Sequence, residues 1–190
     1  MQPVILASQS PRRKQLLEWA EISFEIIVAN TLETYPNNLS INDVPIYIAK
    51  EKANAVAAKL FNNLKPIIAA DTVVVINDKI IGKPENREQA IDFLTQLSGN
   101  KHQVITGVVI LHNEKEISFA DTTNVEFHSL TKEQIEFYVD AYKPYDKAGA
   151  YAIQEWIGVV GIKSISGDFY NVMGLPVSRV VQCLQQLETM

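Results

Sequence analysis

The chain has 190 residues, one cysteine, three histidines and no surplus of positive charge. Each scarcity removes a class of function. With Cys183 alone, no intrachain disulfide can form and no CxxC metal site exists. His102, His112 and His128 lie far apart and none belongs to an HExxH-type pair, so each reads as a strand or loop residue rather than a metal ligand. The longest apolar region, IIAADTVVVI, is interrupted by Asp71 and falls far short of the roughly 20 residues that span a bilayer. A formal net charge of -5 argues against a general nucleic-acid binder, which needs a broad basic face, but a few local cations still suffice for a small anion. The first lysine or arginine is Arg12, behind a very short apolar stretch, so no secretory signal is visible. The expectation is a cytoplasmic protein without nucleic-acid or membrane partners.

What remains is an ordinary globular composition, 47% hydrophobic and 21% charged, with no repeat, low-complexity segment or linker. A single domain over residues 1–190 is expected. Residues 4–7 read as a strand and 11–20 as a helix, with Ser10 as N-cap and Pro11 at the first helical position. Residues 23–28 read as a second strand, and a helix over 44–60 carries Ile46, Ala49, Ala53, Val56 and Leu60 on one stripe. IIAADTVVVI is apolar on both faces, as a central strand is. Asn77-Asp78 predicts a hairpin turn into residues 79–81. NREQAIDFLTQLSG predicts a helix stopped near Gly99, and residues 101–128 two long strands around a turn at Asn113-Glu114. Thr131 opens a further helix; short strands are expected near 150–153 and 159–165, and a last helix over 176–187. The irregular alternation fits a mixed, twisted α/β sheet flanked by helices.

Several residues are out of place in a purely structural reading. Arg12 and Arg13 open a helix, where a cation opposes the dipole by roughly 0.3–1 kcal/mol. Either they are solvated surface arginines, or an anion sits at the turn that also holds Ser8 and Ser10. Asp71 cannot remain unpaired within an apolar strand; it is either salt-bridged or a metal ligand at a cleft. Thr72 follows it on the opposite strand face. Lys52 flanks the apolar stripe of its helix whereas Glu51 faces away, so Lys52 leans into a cleft or covers apolar surface. Lys83 precedes a proline that fixes it in extended conformation. DKAGAYAIQ places Asp146, Lys147 and Gly149 ahead of Gln154, whose amide offers the donor and acceptor needed to read a base edge. Glu33, in an otherwise uncharged loop, is a candidate second oxygen ligand. Cations and isolated carboxylates without a Ser-His or Cys-His pair suit metal-assisted phosphate chemistry better than acyl transfer.

The ordered series LASQSPRRKQLL, EKA, AADTVVV, GKP, SGNKHQVITGV, DKAGAYAIQ and NVMGLP resembles the Maf proteins across nearly the whole chain. That resemblance implies a Maf/HAM1-like fold with a central cleft. It also implies a divalent cation (Mg or Mn), a homodimer, and cleavage of a nucleoside triphosphate to monophosphate and pyrophosphate. Asp71 matches the family's proton acceptor; Arg12, Thr72 and Gln154 match the positions that mark its dTTP/UTP type. A rival reading within the enzyme class is a housecleaning pyrophosphatase for modified or non-canonical nucleotides, modified pyrimidines among them. Ser8, Arg13, Lys52 and Lys83 are the expected phosphate-binding residues, and Asp71 with Glu33 the expected metal ligands. Base and metal ligand are competing roles for Asp71. Where many members carry an acidic pair, this chain has Leu32-Glu33. The alternative is a non-catalytic nucleotide sensor that regulates cell division or septum formation.

Overall fold

A computed structural model of the protein describes residues 2–60 and 64–189. Its elements run β1 (Val4–Leu6), α1 (Pro11–Trp19), β2 (Phe24–Ile26), α2 (Asp43–Ala57), β3 (Ile67–Ile76), β4 (Lys79–Ile81), α3 (Arg87–Leu97), β5 (Lys101–His112), β6 (Lys115–Phe127) and α4 (Lys132–Tyr142). A 3₁₀ turn (Ala148–Ala150) then leads to α5 (Trp156–Gly161), β7 (Ile162–Ser166), α6 (Phe169–Met173) and α7 (Val177–Thr189). The seven strands form a mixed sheet in the order β2-β1-β3-β5-β6-β7, with β4 on β3. β1 pairs in parallel with β2 and β3, while β4 and β7 pair antiparallel with β3 and β6.

Two compact units share these elements. The first comprises residues 1–71, 106–121 and 174–190; the second comprises 72–105 and 122–173. In the first, Ala49, Ala53 and Val56 of α2 pack on Ile5, Ala7, Ile67, Ala69 and Val109. The helix reaches the sheet closely because β5 carries Gly107 there: a Cβ at that position would lie 2.3 Å from the Pro45 carbonyl carbon and the Ile46 nitrogen. In the second, Ala90, Leu94 and Leu97 of α3 and Ile135, Tyr138 and Val139 of α4 share a core with Val74, Val104, Val125 and Phe127.

Local sequence explains most of the boundaries. β3 is buried at every position but Thr72, as expected of a strand between two others. Asn77 and Asp78 both adopt positive φ (49° and 58°), the conformation a two-residue hairpin turn demands. Thr131 and Gln134 make a reciprocal capping box at the start of α4. Three expectations need correction. Residues 150–153 are not a strand: positive φ at Gly149 and Ala150 (68° and 60°) turns the backbone out of the extended region. Residues 159–161 belong to α5, so the last strand begins only at Ile162. Ser10 has N-cap backbone geometry, but its side chain makes no cap bond.

Candidate active site

The first unit carries Arg12 and Arg13 on α1, Lys52 on α2, Asp71 on β3 and Glu33 in the loop after β2. After β1 the chain turns through residues 7–10 into α1, and Ser8 is buried in that turn. Arg13, one helical position inside Arg12, is only 8% exposed. Its Nε donates to the Gly174 carbonyl at 2.7 Å and its Nη1 to Ser8 Oγ at 3.0 Å. The Ser10 amide also donates to Ser8 Oγ, at 3.3 Å. With both hydroxyl lone pairs engaged, the Ser8 proton is left to donate to something else. Burial pulls the Arg13 pKa down from its ordinary value; the Asp71 charge opposes that shift, Arg12 adds to it and Glu33 opposes it. Arg13 is therefore not a solvated surface arginine, whereas Arg12 is half-buried.

Asp71 is 8% exposed on β3, and Lys52 meets it from α2. Lys52 Nζ donates to Asp71 Oδ1 at 2.7 Å and to Glu33 Oε1 at 2.8 Å, so two carboxylates from distant segments converge on one ammonium. This is the pairing that a carboxylate inside an apolar strand requires. Among the described residues Asp71 is bonded only through Oδ1, which leaves Oδ2 for other chemistry.

The second unit carries the other three candidates. Thr72 is half-buried and follows Asp71 directly. Lys83 is exposed between β4 and α3, in a segment tied to DKAGAY by the Gly149 amide, which donates to the Gly82 carbonyl at 3.0 Å. Gln154 is exposed in the turn that precedes α5. His102 is buried against Tyr151, its Nε2 2.7 Å from the phenolic oxygen, and burial lowers its pKa to about 4. No group of three or more His, Cys, Asp or Glu residues able to hold a metal occurs among the described residues.

A family model described as "Maf-like protein" matches residues 3–187. The chain belongs to the Maf family. Among similar proteins, the dTTP/UTP pyrophosphatase of Cytophaga hutchinsonii is 53% identical over 97% of this chain and 84% of its own length. That of Parabacteroides distasonis is 46% identical over 96% and 94% respectively. That of Bacteroides thetaiotaomicron is 45% identical over 97% and 95%. A structure of the Staphylococcus aureus Ham1 protein aligns with a TM-score of 0.46 at 17% identity, over 66% of this chain and 72% of that one.

In this member of the Maf family, some participants had no local signal in the sequence. Gly174 supplies only a carbonyl to Arg13, and NVMGLP marks it merely as a glycine before a Leu-Pro. Tyr138 and Glu155 are bonded to each other in the second unit, yet read singly as a core aromatic and a surface acid. Lys147, noted beside Asp146, is nearly buried and lies 2.7 Å from Asp146 Oδ1 and 3.5 Å from Glu155 Oε1.

Proposed function

We propose that this Maf protein is a nucleoside triphosphate pyrophosphatase that hydrolyses dTTP and UTP to the monophosphate and pyrophosphate. The observation that carries the reading is the Glu33–Lys52–Asp71 arrangement, a buried carboxylate with one oxygen held and the other open. The curated relatives at 45–53% identity, all dTTP/UTP pyrophosphatases, support the substrate.

The donor set fits a hard divalent cation. Two carboxylates already share a single positive charge, and Mg²⁺ or Mn²⁺ is commonly held by one or two carboxylates plus substrate phosphates and water. Glu33 would hold it together with substrate phosphates and water, leaving Asp71 to act as the base, and when bound it would neutralise charge on the phosphate oxygens. The chain's own residues do the rest. Asp71 Oδ2 accepts the proton of the attacking water, while Lys52 fixes the carboxylate through Oδ1. The Ser8 hydroxyl donates to a phosphate oxygen because Arg13 and the Ser10 amide already occupy its lone pairs. Lys52, Arg13 and Lys83 offset the negative charge that grows on the departing pyrophosphate. Gln154 pairs its amide with the N3–H and O4 edge of thymine or uracil, and Arg12 and Thr72 complete the selection of a pyrimidine. Modified pyrimidine nucleotides that keep this edge are substrates on the same grounds. A cytoplasmic location is part of the same proposal. Among the described residues no helix is long and apolar enough to cross a membrane.

The test is product analysis with Mg²⁺ or Mn²⁺. Pyrophosphate release from dTTP and UTP is expected, reduced about a thousandfold in Asp71→Asn, as loss of a general base commonly does. Folded wild type that binds both nucleotides and turns neither over would leave the non-catalytic sensor as the better account.

A further inference from the structure

Gln154 stands on a short turn whose two ends meet at one buried hydroxyl. Tyr138 is fully buried on α4, and its Oη accepts the Ala152 amide at 3.2 Å. The same Oη donates to Glu155 Oε2. Residue 152 enters the turn and residue 155 leaves it, and the Glu155 amide closes it by donating to the Ala152 carbonyl at 3.1 Å. The other Glu155 oxygen, Oε1, lies 3.5 Å from Lys147 Nζ, a side chain only 10% exposed. The far side is equally constrained. The first turn of α5 folds back on the Ile153 carbonyl so closely that a Cβ at Gly158 would lie 1.8 Å from that oxygen.

We infer that Tyr138 and Glu155, with Lys147 behind Glu155, are positioning residues for base recognition: they hold the Gln154 turn rigid, so that its amide keeps one orientation toward a pyrimidine edge. The inference rests on the reading of Gln154 as the base-contacting residue. Its physical basis is the cost of disorder. A side chain that rotates with a loose turn still binds, but it no longer distinguishes a base with a ring N–H and carbonyl from one with a ring acceptor and an amino group. A hydroxyl that both accepts and donates fixes both ends of the turn at once, which an apolar core contact at this position cannot do.

The experiment compares UTP with CTP, which differ along that edge. Steady-state kcat and KM are measured for wild type, Tyr138→Phe, Glu155→Gln, Gln154→Ala and the double variant Tyr138→Phe/Gln154→Ala. Tyr138→Phe is expected to raise KM for UTP and to narrow the UTP:CTP ratio of kcat/KM about tenfold, with kcat for UTP nearly unchanged. Glu155→Gln, which keeps an acceptor for the phenol but loses the charge facing Lys147, narrows it less. In the Gln154→Ala background Tyr138→Phe has no further effect on the ratio, because the group it positions is gone. An equal loss of kcat toward both nucleotides, or an unchanged ratio in a folded Tyr138→Phe, overturns the inference. If Tyr138→Phe does not fold, Glu155→Gln decides alone, and an unchanged ratio in it also overturns the inference. An unchanged ratio in Gln154→Ala removes the base-contact reading itself and this inference with it, while pyrophosphate release stands apart as the test of the enzyme.

Discussion

The two units hold their functional side chains in opposite ways. In the first, the expected site residues are bonded directly to one another: Arg13 to Ser8, and Lys52 to both Asp71 and Glu33. In the second, Gln154 is exposed, and the hydrogen bonds are made by the residues that carry its turn. The contrast follows from chemistry. Charged groups withdrawn from water need partners before any substrate arrives, so the bonds of Arg13, Lys52 and Asp71 serve stability and orientation together. A neutral amide in solvent needs no partner to be stable, and its orientation has to be imposed from behind.

If that contrast is right, removing a partner in the first unit damages the fold, whereas removing Gln154 does not. Lys52→Met leaves Asp71 without its cation, and unfolding in urea should show a loss of about 3 kcal/mol, with activity falling alongside. A wild-type midpoint in Lys52→Met would break the comparison.

The second unit has a pH weakness of its own. His102 titrates near 4 when folded against an ordinary value of 6.5, so between those values the unfolded chain binds a proton that the folded chain refuses. Stability is therefore lost as pH falls from 6.5 toward 4, by roughly 3 kcal/mol, and is unaffected by this group above that window. Urea titrations of wild type and His102→Gln at several pH values should show that much of the slope disappearing in the variant.

Arg13→Lys sharpens the comparison on a smaller scale. A lysine cannot reach the Gly174 carbonyl and Ser8 Oγ with a fixed fork, and a loss of about 2 kcal/mol is expected in the same assay. Gln154→Ala, by contrast, should shift the urea midpoint by less than about 0.5 kcal/mol equivalent while altering base preference.

What could be read from the sequence was what neighbours in the sequence decide. The buried run around Asp71, the Asn77-Asp78 turn and the Thr131 cap are each set within a few residues, and each is present. The anomaly of Arg13 was equally visible, because a helix start disfavours a cation whatever surrounds it. Its resolution was not, since the carbonyl that receives Arg13 is 161 positions away. The same holds for Glu33 and Lys52, which nothing local brings together. The region after Gly149 failed for another reason: its apolar residues do pack in a core, but the positive φ at Ala150 bends the chain where composition alone suggests a strand.

The bond between Arg13 and Gly174 also fixes an order of events during synthesis. The second unit consists of residues 72–105 and 122–173, so all of it has been made before Gly174 is added. The first unit, although it holds the earliest residues, waits for its third segment from 174 onward. Closing so long a loop is entropically slow, and no local contact can substitute for it. The corner built from Ser8 and Arg13 is thus among the first parts of the chain to be translated and the last to be completed.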